Sequence, residues 1–253
     1  MSRTVVVTGA SSGIGEACAR IFAAAGDRLV LVARREDRLA ALAEELGDAH
    51  GTELLTVALD VRDRDAVRAM LGTLPDSWRD VDVLVNSAGL AAGREGFADA
   101  DPDDWDRMLE TNIRGVLSVT RALLPRMLER RSGHVINIGS IAGRGAYPGG
   151  SVYCASKAAL DRITSGMRMD LLGSGVRVST VDPGMVETEF SVVRHHGDVD
   201  AAARVYEGLT PLSALDVAEA VAWVVDRPPH VVVADMLLMP LAQAGPELVH
   251  RDT

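Results

Sequence analysis

The sequence predicts an α/β protein: one domain built on a doubly wound parallel sheet of seven strands, with helices on both faces. Three observations carry this. Short apolar, β-branched runs alternate with amphipathic helical patterns along the whole chain. No linker, repeat or low-complexity tract interrupts the 253 residues. The polar and glycine-rich motifs recur just after strand patterns, where right-handed βα crossovers gather them on one rim of the sheet.

The elements follow in order. Thr4-Val5-Val6-Val7-Thr8 reads as the first strand, and Gly9-Ala10-Ser11-Ser12-Gly13-Ile14-Gly15 follows it at once, before an amphipathic stretch over residues 16–25. Strand, glycine turn and helix in succession turn backbone N–H groups and a helix dipole toward a phosphate. Gly9 suits the tight turn, Gly13 the backbone approach to a pyrophosphate and Gly15 close packing of helix on strand. The spacing is Gly-x3-Gly-x-Gly rather than Gly-x-Gly-x2-Gly, so a purely structural turn is also compatible. Further strands are expected at residues 29–33, 54–59, 81–86, 134–138, 176–181 and 231–236. Helices are expected at residues 38–46, 63–71, 105–130, 152–172 and 216–225.

Composition narrows the function classes. A net charge of −10 argues against nucleic-acid or anionic-membrane partners, which need clustered cations. No apolar run approaches the roughly 18 residues of a membrane span, and Val5 to Val7 is too short for a signal-peptide core, so a cytoplasmic protein is expected. Cys18 and Cys154 read as isolated, reduced thiols, and the six histidines form no ligand-spaced group, so no metal is expected.

One residue is used sparingly. The chain has twenty-five arginines and a single lysine, Lys157, four residues after a tyrosine in Tyr153-Cys154-Ala155-Ser156-Lys157. That spacing puts phenol and ammonium on one helix face. A phenol with a pKa of about 10 needs some 4 kcal/mol of differential stabilisation to titrate near neutrality. An ammonium at about 4 to 5 Å offers roughly 3 to 4 kcal/mol at an effective dielectric near 20, before desolvation is subtracted. A second cation, such as an oxidised nicotinamide, closes the remainder. With three tyrosines present, chance places the only lysine at this spacing about one time in a hundred.

Taken together, Thr8-Gly9-Ala10-Ser11-Ser12-Gly13-Ile14-Gly15, Asn86-Ser87-Ala88-Gly89, Asn112, Ser140, Tyr153-x3-Lys157 and Pro183-Gly184 resemble the short-chain dehydrogenase/reductase family. The likeness runs in order from Thr4 to about Pro240, with Ser87 where the family writes a second asparagine. It implies a single Rossmann-type dinucleotide-binding and catalytic domain over residues 1–253, with a substrate lid at about 185–211. It also implies four roles: Tyr153 as proton donor and acceptor, Lys157 as the group that orients cofactor and phenol, Ser140 as holder of the substrate oxygen, and Asn112 as anchor of a proton-relaying water. Ser140 as a helix cap and Asn112 as a local backbone bonder are the plainer readings.

For the cofactor, Arg34-Arg35 ends the second strand where an NAD enzyme commonly presents an acid to the ribose. A guanidinium there can hold a 2′-phosphate, so NADP(H) is expected, although solvated charges opening an exposed helix would look the same. By resemblance the cofactor also meets Asp60 and Val61 at the adenine, Asn86, Ala88 and Gly89, and Pro183, Gly184, Val186 and Thr188 near the nicotinamide. Arg34-Arg35-x2-Arg38-Leu39, Leu59-Asp60-Val61-Arg62, Gly149-Gly150-Ser151-Val152-Tyr153, Thr188-Glu189-Phe190-Ser191-x2-Arg194 and Leu237-Leu238-Met239-Pro240 are further similar to NADP-dependent 3-hydroxy acid dehydrogenases, a group associated with serine, allo-threonine and malonic semialdehyde. Met185 and Arg194 then join Ser140 and Tyr153 as substrate residues, Arg194 as carboxylate holder. A ketone or aldehyde reductase of secondary metabolism, or a non-catalytic NADP(H)-binding regulator, are the alternatives. The family also implies a homotetramer, or a homodimer, packed through the helices beginning at Trp105 and Val152.

Overall fold

The computed structural model describes residues 2–252. Its centre is a seven-stranded, all-parallel sheet in the order β3-β2-β1-β4-β5-β6-β7. The strands are β1 (Thr4–Thr8), β2 (Arg28–Ala33), β3 (Leu54–Ala58), β4 (Val83–Asn86), β5 (Gly133–Ile138), β6 (Val176–Pro183) and β7 (Asp235–Leu238). The helices are α1 (Gly13–Ala24), α2 (Glu36–His50), α3 (Arg64–Leu71), α4 (Pro102–Leu109), α5 (Val116–Arg130), α6 (Ser151–Asp170), α7 (Glu189–Arg194), α8 (Val199–Arg204) and α9 (Ala214–Val225).

The period of two along each strand divides the core into two layers. Val5, Val7, Leu29 and Leu31 pack with Cys18 and Phe22 of α1, Leu39 and Leu46 of α2, and Val217 and Val221 of α9. Val6, Val30 and Val32 point the other way, against Val67 and Leu71 of α3 and Val119, Leu123 and Met127 of α5. Central strands apolar on both faces explain why β1 reads as an unbroken apolar run.

The chain leaves β1 toward β2 and β3, then returns to pair β4 on the other flank of β1. A crevice opens where that order reverses, at the carboxyl ends of β1 and β4. Register puts Thr8 beside Asn86, and the Thr8 hydroxyl accepts from the N–H groups of Ser87 and Ala88, both at 3.1 Å. The loop after β4 therefore lies on Gly9, where a Cβ would stand 2.9 Å from the Ala88 nitrogen. A Cβ on Gly15 would stand 2.4 Å from the Gly9 carbonyl oxygen, so the first turn of α1 reaches the end of β1 only because that position is glycine.

Three expectations need correction. The helix expected over residues 105–130 starts at Pro102, with Asp101 as its cap, and is broken by a π-turn at Glu110–Gly115 that carries Asn112. The polar stretch after Thr188 holds two short helices, α7 and α8, capped by Thr188 and Asp198. The last strand lies at Asp235–Leu238 rather than 231–236, because a turn bond from the Val231 N–H to the Pro228 carbonyl holds that segment and pairing with β6 begins only at Asp235.

Candidate active site

One cavity of about 690 Å³ follows the carboxyl rim of the sheet from the glycine loop to the amino end of α6. Of the residues expected around a cofactor or substrate, Gly9, Ser11, Ser12, Gly13, Ile14, Arg34, Arg35, Asp60, Val61, Ala88, Gly89, Ser140, Tyr153, Lys157, Pro183, Gly184, Met185, Val186, Thr188 and Arg194 line it. Gly15 packs beneath the loop, as its spacing implied. Asn86 is the exception: its amide is buried under the rim, donating to Thr120 Oγ1 at 3.0 Å and Asn137 Oδ1 at 2.9 Å, so its contribution is to brace β4 on β5.

At the catalytic end, α6 carries both Tyr153 and Lys157, buried, on the face toward β5. Lys157 Nζ donates to the Ile138 carbonyl at 2.8 Å, and an added Cβ on Gly89 would lie 3.6 Å from that nitrogen. Burial pushes the ammonium down to about 8, against a smaller pull upward from Asp182. Without a second cation the phenol is far from titrating near neutrality. Burial raises Tyr153 well above the usual phenol value, Tyr147 adds to the rise, and the Ser140 hydroxyl and the Arg194 guanidinium oppose it. Lys157 is not among these leading influences; its ammonium is engaged with the carbonyl of β5. To make the phenol more acidic, more positive charge must act on it than these groups supply.

Ser140 follows β5 in extended backbone, and its hydroxyl accepts from the Ala142 N–H at 3.1 Å, so one side chain both caps the next turn and lines the cavity. Asn112, buried in the π-turn, braces the Leu90 backbone on both sides: Nδ2 donates to the carbonyl at 2.8 Å and Oδ1 accepts from the N–H at 2.9 Å. Nδ2 also reaches Ser156 Oγ on α6 at 3.0 Å, tying the π-turn to the helix of Tyr153 and Lys157. π-Turns of this kind concentrate at functional sites.

The far end is polar and cationic. The Ser12 side chain does not cap α1, leaving the first-turn N–H groups facing the loop. Arg35 donates to Ser11 Oγ and the Ser11 carbonyl, both at 3.1 Å, and to Glu189 at 2.8 Å, and Arg38 reaches the other oxygen of Glu189 at 2.6 Å. Arg34 is exposed on the cavity wall. The Asp60 carboxylate is engaged by Arg62 through bonds of 2.7 to 3.1 Å, a pairing the sequence reading did not foresee. Glycines that leave no room for a side chain, uncapped N–H groups and a guanidinium cluster fit a dinucleotide diphosphate with a further phosphate on its ribose.

Two other contributors were missed. Tyr147 accepts from Arg194 Nη1 at 2.9 Å, and Arg194 also donates to the Gly149 carbonyl at 3.3 Å. Tyr147 precedes Pro148-Gly149-Gly150, where a Cβ on Gly150 would strike its ring, so the glycine pair was the available signal. Pro246, Glu247, Val249 and Arg251 of the carboxyl-terminal segment also line the cavity, with Gln243 accepting from the Met185 N–H at 2.8 Å.

A long cleft with a phosphate-fitting floor at one end and a buried phenol at the other places the protein among dinucleotide-dependent oxidoreductases. Residues 3–197 match the short chain dehydrogenase model, and the chain belongs to that family. It is 47% identical over 249 residues to the NADP-dependent 3-hydroxy acid dehydrogenase of Salmonella typhi, covering 98% of this chain and 99% of that one. It is also 47% identical over 245 residues to sulfoacetaldehyde reductase 2 of Chromohalobacter salexigens, covering 96% of each. Among solved structures, a closed form of serine dehydrogenase complexed with NADP+ superposes with a TM-score of 0.93 at 45% identity, over 98% of this chain and all of that one. No helix among the described residues is long and apolar enough to cross a membrane.

Proposed function

We propose that this enzyme moves a hydride between NADP(H) and a small 3-hydroxy acid or its 3-oxo or semialdehyde partner, with Tyr153 as the general acid and base. The observation that carries the reading is the position of Arg194, whose guanidinium lies 5.6 Å from the Tyr153 ring within the same cavity. An acid group held there by planar, charge-assisted bonds leaves a short carbon chain to reach the phenol.

When bound, NADP(H) supplies or accepts the hydride at the substrate carbon. The glycine loop and the α1 N–H groups hold its diphosphate, Arg34, Arg35 and Arg38 its ribose phosphate, and Pro183, Gly184, Val186 and Thr188 frame its nicotinamide end. Tyr153 gives its phenolic proton to the carbonyl oxygen in reduction and takes it back in oxidation. Ser140 holds the same oxygen as charge develops on it. Lys157, protonated below its pKa of about 8, orients the cofactor ribose and adds its charge as the phenol ionises. Asn112 positions the Leu90 loop and α6, and holds the relay water by its remaining hydrogen-bonding capacity. Helices α7 and α8 form the lid that keeps bulk water from the reacting carbon.

NADPH and NADH oxidation, followed by absorbance against 3-oxo acids, semialdehydes and bulky neutral ketones, tests the reading. Preference for NADPH and for small acids is expected; turnover confined to neutral ketones would end the acid assignment. Tyr153→Phe should lose at least about a hundredfold in kcat while still binding NADPH. In the cytoplasm, two free buried cysteines, Cys18 and Cys154, would stay reduced. Exposed Leu109, Leu117 and Leu128 on the α4–α5 arm, and Met169 on α6, support assembly as a homotetramer through those helices, to be checked by light scattering.

A further inference from the structure

The substrate end of the cavity holds more positive charge than one acid holder requires. Two guanidinium groups lie close to the Tyr147 ring: the Arg194 Cζ is 5.3 Å from its centre and the Arg94 Cζ is 5.5 Å from it. Both arginines line the cavity. Arg194 is buried and uses three of its five donors on Tyr147 and on the carbonyls of Gly93 and Gly149, leaving two for an acid group. Arg94 is different. It is exposed overall and lines the cavity, and among the described residues its guanidinium makes no hydrogen bond or ion pair. Partial enclosure first, and Arg194 second, pull it below the ordinary arginine value.

The backbone fixes this placement. A Cβ on Gly149 would lie 2.1 Å from the Arg94 carbonyl oxygen, and the Gly93 N–H donates to the Arg194 carbonyl at 3.0 Å, so the loop after β4, the Gly149 turn and α7 form one contact. His195 reports the resulting field. Its Nε2 is shut off from solvent without a partner among the described residues, and burial, then Arg194, then Arg94, depress its pKa. Glu247 is the carboxylate among the groups acting on Arg94, from the carboxyl-terminal segment on the same cavity wall. A guanidinium with five donors and no acceptor, on a residue that lines a cavity beside a second one, suits an anion that arrives from outside.

We propose that Arg94 is a second anion-binding residue of the substrate pocket, acting with Arg194 beside the Tyr147 ring, so that two guanidinium groups grip the acid group of the substrate. This rests on the acid-substrate reading above. Arg194 and the Tyr147 hydroxyl form the inner contact, and Arg94 closes over the acid group from the rim. The enzyme then selects small acids over neutral molecules of the same shape, and Arg94 acts on binding more than on the chemical step.

The test compares NADP+-dependent oxidation of 3-hydroxypropanoate with that of its neutral counterpart, 3-hydroxypropanamide, in the wild type and in Arg94→Met, Arg94→Gln and Arg94→Lys. Loss of a charge-assisted bond should raise KM for the acid by about 10- to 100-fold with kcat changed less than about threefold. The amide kinetics and the Kd for NADPH should not move, and lysine should restore part of the acid preference. Unchanged KM for the acid in both Arg94→Met and Arg94→Gln overturns the proposal, as does an equal rise for acid and amide, which would mark Arg94 as packing for Tyr147. A wild type that turns over acid and amide alike removes the acid reading itself, and Arg94 with it; a wild type that prefers the acid, with variants that prefer it equally, removes Arg94 alone.

Discussion

Replacing Lys157 by methionine separates what this residue does for the fold from what it does for the reaction. Burial lowers the ammonium from 10.5 to about 8, so the folded protein gives up this proton more readily than the unfolded chain. Below pH 8 both states are charged and the full penalty for burying the charge stands, about 3 kcal/mol from the 2.5-unit difference. Between pH 8 and 10.5 the unfolded chain binds more protons, so stability rises with pH; above 10.5 the penalty is gone. From pH 7 to 9.5 the wild type should therefore gain about 2 kcal/mol relative to Lys157→Met, roughly 4 to 8 °C in melting temperature for a chain of this size. At pH 7 the variant loses the bond to the Ile138 carbonyl, at about 1 to 3 kcal/mol, but sheds the buried charge, so it should be no less stable than the wild type. Lys157 is the only lysine, and the tyrosines and cysteines are common to both proteins, so the pH-dependent difference reports this residue. Urea unfolding at pH 7 and 9.5, with NADPH turnover in parallel, is the assay. Parallel stability curves for the two proteins would refute the reasoning, and wild-type turnover in the variant would remove Lys157 from the chemistry.

Other perturbations follow from contacts already described. Glu189→Gln should free Arg35 and Arg38 for a phosphate and tighten NADPH binding about two- to fivefold without affecting NADH, since exposed ion pairs are weak. Fluorescence titration that shifts both cofactors equally would count against it. Gly15→Ala drives a Cβ onto the Gly9 carbonyl oxygen; a loss of about 1 to 3 kcal/mol in urea unfolding, with weakened cofactor binding, is expected. His134, hydrogen-bonded to Ser179, is pushed down to about 3, first by burial and then by Arg177. Its folded value lies below its unfolded one, so acid favours the unfolded chain, and the wild type should lose about 2 kcal/mol more than His134→Gln between pH 6.5 and 4.5. Equal losses in the two proteins would show that His134 accepts a proton in the folded state.

What the sequence made legible is mostly what is local. Thr4–Thr8 is buried on both faces, so its apolar run announces a central strand. Tyr153 and Lys157 share a helix, so their spacing alone unites them. The Arg94, Tyr147 and Arg194 group spans a hundred residues of chain and exists only because Gly93, Gly149 and α7 meet, which no short-range pattern encodes. Helix α7 has six residues, too few for an amphipathic period, and its cap, Thr188, read as a binding residue. The final strand was misplaced because it lies at the sheet edge and is paired on one side only, where β-branched residues before it look equally suitable. The acidity of Tyr153 was legible only in part, because spacing reveals a neighbouring charge but not how deeply the phenol is buried.

Helix α7 begins with Glu189, tied to the guanidinium pair at the adenosine side, and ends with Arg194, fastened beside Tyr147. Less than two turns of backbone thus join the two places proposed for the reactants. Whatever releases one end re-aims the other, so each reactant should alter the affinity for its companion by the same factor, a reciprocity that needs no remote relay through the protein.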